Sequence, residues 1–448
     1  AGRGRLKFSI SPKQTAMLPS LPLPTLRPGA WLRMRRRHAR WKREHSCLLL
    51  VAALALISSP RVPTGVPCFG MPAARPPARP EPPNLAQQLL NWALESPLYT
   101  LLLVPQARRT MVQTAEANGI RWEAALGWIK SQATWDDDLL CQVSGDANYL
   151  QTIPTYYSKP FHAYETGNLN WEAAFEQELA SRAVGARNFP AYGEAGEEVF
   201  RGAFEAALAS LGATVPKDGL MVDFGCGTGT STRRLAANFP DASSVVGIDM
   251  SPYFVAVGRK LLEEAPGADG PWVTEIRPDE RIKLSVGDAA STGLPDGCAS
   301  TVSLTMVVHE LPPEAAREVC AEALRILKPG GQLWISEMDF TAPAYAKLRA
   351  NPLLFSLIRA TEPYLDDYAD SSEALFEHLA GDAGFASVRI AAATGRHFAL
   401  IATKGEAPDD VAKKEASGAM EDLRFDTSGN YALDDTHLNT WESKSQER

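Results

Sequence analysis

From residue 220 onward, apolar positions come in short β-rich runs that alternate with longer stretches of helical period. Residues 220–224, 244–248, 282–286, 301–307 and 332–337 read as strands, and 230–238, 252–264 and 313–327 as the helices that join them. Strand, helix, strand at this spacing requires right-handed crossovers, hence a parallel sheet covered on both faces. Two further runs, 388–392 and 397–403, pair across Thr394-Gly395 as a terminal hairpin. Upstream, 85–187 reads as several helices anchored by Trp92, Trp122, Trp128, Trp135 and Trp171, with breaks at Asn118-Gly119 and Asp136-Asp137-Asp138. Inside it, 154–167 carries two prolines and three tyrosines and is a loop, followed by helices at 169–186 and 197–211. The stretch 341–370 is an aromatic, leucine-rich insertion, with a helix after it at 371–383.

Charge separates the ends from this middle. The chain has 448 residues and a formal net charge of -8, but residues 1–80 hold 15 Lys+Arg against one acid, Glu44, so the head is +14 and the remainder -22. With 14 of the 33 prolines in residues 1–83, the head buries too little apolar surface to offset ordering entropy, and 1–83 reads as a disordered presequence. A remainder this acidic argues against nucleic acid as a partner, which needs a cationic surface. From 405 onward the chain is polar and acidic and reads as a disordered tail, leaving a helical extension at 84–196 and a core at 197–404.

The head also reads as an address. Met17 and Met34 are candidate start positions; after Met34 come Arg35-Arg36-Arg37, an 11-residue apolar run from Cys47 to Ile57, and Ser58-Ser59-Pro60. A basic segment, a short apolar segment and a small polar segment fit a signal peptide, whereas a membrane-spanning helix needs about 20 apolar residues. No integral span is therefore expected in the mature protein. Residues 61–79 are rich in Arg, Ala and Pro and free of acids, like a transit peptide, and Phe69 lies at the junction. The whole resembles the bipartite presequence of algae with complex plastids; secretion with a disordered linker is the alternative. Outside the head, Cys141, Cys226, Cys298 and Cys320 are widely spaced, without C-x-x-C, so neither disulfide framework nor metal site is expected and a reducing compartment fits.

The candidate chemistry sits at strand ends. V-D-F-G-C-G-T-G-T, from Val222 to Thr230, places Gly225, Gly227 and Gly229 between the first strand and its helix, where the backbone must turn sharply and approach a ligand closely. The spacing is G-x-G-x-G rather than the G-x-G-x-x-G of dinucleotide folds, which disfavours an NAD-dependent dehydrogenase. Asp223, just inside the strand, is placed to accept hydrogen bonds from loop N–H groups. The next strand ends at Asp249, whose carboxylate suits both hydroxyls of a ribose, with Met250 as a soft apolar face for a purine. The third ends at Val286-Gly287-Asp288-Ala289, where Asp288 could accept from an exocyclic amine.

These motifs resemble class I S-adenosylmethionine-dependent methyltransferases. The resemblance runs from about Val199 to Lys404 and continues in T-V-S-L-T-M-V-V-H-E-L-P and L-K-P-G-G-Q-L-W-I-S-E, closest to the ubiquinone/menaquinone-biosynthesis type. The upstream P-F-H-A-Y-E-T-G-N-L-N-W-E-A-A is similar to plastid members from plants and algae. The resemblance implies an α/β, Rossmann-like doubly wound sheet, mostly parallel with an antiparallel terminal strand. It implies S-adenosyl-L-methionine as cofactor, with Asp223, Gly225, Gly227 and Gly229 on the methionine half, Asp249 on the ribose and Asp288 with Ala289 on the adenine.

On the acceptor side, His309 and Glu310 follow the fourth strand and either could serve as general base. Equally, Glu310 could brace the next helix and His309 pack beneath it. Tyr156, Tyr157, His162 and Tyr164 in the upstream loop, with Phe355 and Tyr364 in the insertion, are candidate pocket residues or a packed lid. No N-P-P-Y, paired-glutamate loop or nucleophilic cysteine accompanies the fourth strand, which leaves a small apolar or aromatic methyl acceptor. The competing expectation is a cofactor-binding but inactive scaffold that docks a partner through the helical extension. The oligomeric state is not legible.

Overall fold

A computed structural model describes residues 104–405 apart from 163, 267–269, 272–275, 346–361 and 382. The presequence, the acidic tail, Trp92 and Phe355 lie outside the described residues. Chain contacts divide the protein into two units, 1–80 and 81–448, and every described residue belongs to the second.

Seven strands form one sheet in the order β3-β2-β1-β4-β5-β7-β6. They are β1 Leu220–Phe224, β2 Ser244–Asp249, β3 Ile282–Val286, β4 Ala299–Thr305, β5 Leu327–Met338, β6 Phe385–Thr394 and β7 His397–Lys404. β1 pairs parallel with both β2 and β4, and β7 runs antiparallel between β5 and β6. The fold is thus the Rossmann-like, mostly parallel sheet with an antiparallel terminal strand. β1 and β4 are buried along almost their whole length, as parallel strands with helices on both faces must be. The order reverses between β1 and β4, and in open sheets of this kind the ligand crevice lies beyond the strand carboxyl ends at that reversal.

Helices α1 Val104–Ala117, α2 Trp122–Ser131, α3 Asp137–Ser144, α4 Trp171–Asn188 and α5 Gly196–Ser210 precede the sheet. Within it come α6 Thr230–Asn238, α7 Pro252–Glu264, α8 Pro313–Ile326 and α9 Leu365–Ala380. Asp136 caps α3 by accepting the Leu139 N–H, so the acidic triplet read as a break is a helix start. Asn170 does the same for α4 through the Ala173 N–H. One core joins β1, β4, β5 and β7 to α8 and α9; a second, around Phe189, Phe200, Phe204 and Trp334, joins the opposite face to α5 and α6. A third packs α1, α2 and α4 against α7 through Trp122, Ile129, Phe175, Leu179 and Val257.

Several boundaries differ from the sequence reading, three of them for a clear local reason. β5 begins at Leu327 rather than 332, because Leu327 already pairs with Ala299 and Lys328 to Gly331 bulge out of the ladder before Gln332 meets Thr301. β4 stops at Thr305, since Met306 takes φ +58 and turns the chain away. α9 starts at Leu365, so the end of the expected irregular insertion is helical, with Leu365 and Tyr368 buried in the core.

Candidate active site

Beyond β1 the chain passes through Gly225, Cys226, Gly227, Thr228 and Gly229 into α6. The three glycines have φ of +67, +56 and +88. A Cβ on Gly225 would stand 2.6 Å from Val307, and one on Gly227 2.7 Å from the Gln177 amide. Conformation and space both exclude a side chain there. Each N–H of the turn is satisfied: Gly225 and Cys226 donate to Ile248 O at 2.8 and 3.2 Å, and Gly229 to Cys226 O at 2.8 Å. Gly227 donates to Asp249 Oδ2 at 2.8 Å and Thr228 to Gln177 Oε1 at 3.3 Å.

Asp223 is therefore not a receiver of loop N–H groups, which are taken by Ile248 O, Cys226 O, Asp249 and Gln177. Its Oδ2 accepts the Ser231 and Thr232 hydroxyls, at 2.6 and 2.7 Å, and ties β1 to the first turn of α6. Oδ1 is buried without a partner, and burial lifts this carboxyl to about 6.

Asp249 closes β2 and faces the glycine turn. Besides Gly227 N–H it accepts, on Oδ1, the Ser251 N–H at 2.8 Å and the Tyr157 hydroxyl at 3.3 Å. Burial raises its pKa, while these bonds pull it back. Met250 beside it is buried. After β3, Asp288 Oδ1 accepts the Ala290 N–H at 2.8 Å, and Asp288 and Ala289 stay half-buried. Glycine turn, Asp249 and Asp288 thus stand at the ends of β1, β2 and β3, three neighbours in the sheet. Burial lifts the phenols of Tyr149 and Tyr156 to about 12, with Asp249 and Asp288 adding to the first and Asp288 and Glu318 to the second.

Past β4, a 3-10 turn carries Val308, His309 and Glu310. His309 is buried, and its Nδ1 lies 2.9 Å from both oxygens of Glu337, a residue of β5 with no exposed surface. The His309 backbone N–H donates to the same carboxylate at 3.3 Å. Burial alone would depress this imidazole, but the Glu337 charge and hydrogen bond override it and raise the pKa to about 10. The carboxylate thus favours the protonated imidazole and fixes Nδ1 as the ring nitrogen that faces β5, so that of the two base candidates His309 is the one already paired. Glu310 differs. Burial raises its carboxyl to about 7, with His162 and His309 pulling down and Glu362 and Asp249 pushing up.

The 154–167 loop lies over this end of the sheet. His162 Nε2 meets Glu362 Oε1 at 2.8 Å, the Tyr364 hydroxyl donates to Tyr156 O at 3.0 Å, and Lys159 Nζ sits 4.6 Å from the Tyr364 ring centroid. His162 holds φ +48, and Glu362 Oε2 is buried without a partner. Tyr156, Tyr157, His162 and Tyr364 therefore come together with Asp249 and Glu310. Tyr164 does not join them: its hydroxyl donates to Glu176 and its ring lies 5.4 Å from the Arg108 guanidinium, in the helical layer. A tyrosine one turn of loop away from Tyr157 has no sequence feature that tells it apart.

Gln177, Glu178, Glu337, Glu362 and Tyr149 were not singled out by sequence. Glu337 carried a signal, closing the stretch 332–337 that reads as a strand next to the one that precedes His309. The glutamates and glutamine on helices or loops carried none. Among the described residues, no group of three His, Cys, Asp or Glu is arranged to hold a metal ion, and no helix is long and apolar enough to cross a membrane.

Residues 221–331, from β1 into the bulge of β5, match the family model described as a methyltransferase domain. The chain is 34% identical over 116 residues to a carboxy-S-adenosyl-L-methionine synthase of Chromohalobacter salexigens, covering 26% of this chain and 38% of that protein. It is 32% identical over 138 residues to the 2-methyl-6-phytyl-1,4-hydroquinone methyltransferase of Synechocystis, covering 30% and 38%. To a demethylmenaquinone methyltransferase of Clavibacter sepedonicus it is 28% identical over 173 residues, covering 38% and 61%. The chain thus spans less than two thirds of the length of these relatives.

Proposed function

We propose, from the class I S-adenosylmethionine-dependent methyltransferase domain that the chain carries, that it transfers the methyl group of this cofactor to a small apolar or aromatic acceptor. The observation that carries the reading is the alignment of the glycine turn, Asp249 and Asp288 on three adjacent strand ends. The fit is physical. The turn runs through three left-handed glycines at the end of β1, and the carboxylate of Asp249 beside it has acceptor capacity for a diol once Tyr157 yields. Asp223, Gly225, Gly227 and Gly229 would hold the methionine half, Asp249 and Met250 the ribose and purine face, and Asp288 with Ala289 the adenine.

When bound, the cofactor supplies an already activated methyl group, so the protein's work is positioning and exclusion of water. Glu310 is the group placed to take a proton from an acceptor hydroxyl or acidic carbon, because a carboxyl titrating near 7 is poised for that at neutral pH. His309 and Glu337 supply a rigid wall beside it. Tyr156, Tyr157, His162 and Tyr364 line the approach, and the similarity to quinone-type methyltransferases supports a prenylquinone precursor, phenol or lipid-like acceptor. The basic head with its short apolar run and Arg/Pro-rich continuation supports delivery to a plastid.

The test is calorimetric titration with S-adenosylhomocysteine, followed by turnover of S-adenosylmethionine with a plastid extract as acceptor source. Micromolar binding and product formation are expected. Tight binding without turnover across acceptors would replace this reading with the inactive scaffold.

A further inference from the structure

The glycine turn is gripped from outside the sheet. Glu178, on α4 and without exposed surface, accepts on Oε2 the Thr230 hydroxyl at 2.8 Å and Arg233 Nη2 at 2.7 Å, with the Thr228 hydroxyl oxygen 3.3 Å away. Its Oε1 takes Arg182 Nε and Nη2 at 3.2 and 2.9 Å. Arg233 Nη1 in turn donates to Thr228 O at 3.0 Å. One residue earlier, Gln177 Oε1 accepts both the N–H and the hydroxyl of Thr228, and its amide fills the space beside Gly227 where a side chain would stand. Burial alone would push Glu178 up, yet Arg233 and Arg182 hold it well below the usual carboxylate range.

Packing does not require this arrangement. α4 already buries Ala174, Phe175, Leu179 and Ala186, and an internal ion cluster carries a desolvation penalty that a purely apolar contact avoids. The cluster's polar atoms converge on Thr228, Thr230 and Arg233, within and just after the turn. A turn with three left-handed glycines also has more backbone freedom to lose on ordering than one built of other residues.

We infer that Gln177 and Glu178 are positioning residues that fix the glycine turn in its ligand-ready shape from α4, and so set affinity for the amino-acid half of the cofactor. The inference rests on the proposed cofactor reading. It makes the helical segment before the sheet part of the cofactor site, through residues that do not themselves reach the adenosine end.

The experiment compares two probes that share the adenosine part: S-adenosylhomocysteine, which has the amino-acid part, and 5′-methylthioadenosine, which lacks it. Calorimetric titrations are run on the full chain, on Gln177→Ala and on Thr230→Val, each with a melting temperature. Both variants are expected to lose about tenfold in affinity for S-adenosylhomocysteine, the consequence of freeing roughly one residue's backbone, while methylthioadenosine stays within about twofold. Thr230→Ser, which returns the hydroxyl to Glu178, is expected to restore the affinity. Equal loss for both probes, or no loss for S-adenosylhomocysteine, overturns the inference. An unmodified chain that binds neither probe overturns the cofactor reading and, with it, this inference.

Discussion

Asp249 and Tyr157 should have opposite effects on cofactor affinity. A carboxylate offers about four lone-pair sites, and three of those of Asp249 are engaged, by Gly227 N–H, Ser251 N–H and the Tyr157 hydroxyl. The two N–H groups belong to the fold and stay. A ribose diol then needs the remaining site and the one Tyr157 occupies, so the phenol must withdraw on binding. Hydrogen bonds to an ionised acceptor are worth about 1.5–3 kcal/mol each, so Asp249→Ala should weaken S-adenosylhomocysteine binding at least about tenfold. Tyr157→Phe removes a neutral competitor whose bond is long, 3.3 Å, and net contributions of such bonds are about 0.5–1.5 kcal/mol. It should tighten binding by about two- to tenfold. Calorimetry on both variants reads the two signs directly, and melting temperatures separate them from the stability loss Asp249→Ala suffers by stranding Gly227 and Ser251 N–H groups. Unchanged affinity in Asp249→Ala, or weaker binding in Tyr157→Phe, would refute the assignment of the ribose to this carboxylate.

On the reading of Glu310 as base, kcat/KM for the methyl donor should rise with pH through about 7 and level above it, because the carboxyl acts only when ionised; Glu310→Gln should remove this limb and lower the rate by about 10²–10⁴. At pH 7 the cationic cofactor should expel protons that its neutral product analogue does not, read as a buffer-dependent binding enthalpy with S-adenosylmethionine alone. His309 has a folded pKa of about 10, raised above the roughly 6.5 of an unfolded histidine. Its contribution to stability is therefore full below about 6.5 and lost as pH climbs towards 10. Glu337→Gln should abolish that slope and, by leaving the partner unpaired in a buried site, cost about 3–5 kcal/mol in denaturant unfolding at pH 7.

The sheet was legible because its signals are local. β1, α6, β2, α7 and β3 lie within a residue of where apolar period and caps put them, and G-x-G-x-G needs no tertiary partner to announce left-handed backbone. Strand ends were legible for the same reason, since Asp249 and Asp288 are identified by where a strand stops. What escaped depends on pairing across the fold. Nothing in H-E-L-P says that His309 is neutralised by a glutamate 28 positions later, and only the β4–β5 pairing brings them together. Gln177 and Glu178 look like two polar residues on an amphipathic helix, yet Glu178 is buried because α4 crosses the mouth of the turn 50 residues ahead of Thr228. Tyr157 and Tyr164 share one loop and one side-chain type, and their separation into crevice and helical layer follows from whether Asp249 or Glu176 faces each hydroxyl.

The His309–Glu337 pair also bears on the proposed role of Glu310. Were His309 free, it would titrate near neutrality beside Glu310 and compete for the proton; pinned to Glu337 it is biased towards one charge state. Glu310 then responds to burial and to Glu362 and Asp249, which raise its pKa, and to His162 and His309, which lower it. With two carboxylates pushing its pKa up, Glu310 favours the protonated form whenever the crevice holds no extra positive charge, and the ionised form when it does. On the proposed reading, a base tuned this way would be charged beside a cationic methyl donor and neutral beside the product, so that the carboxyl would take up its proton as the donor's charge is lost. A carboxylate would suit this position better than an imidazole, whose protonation would create a cation where one has just been removed.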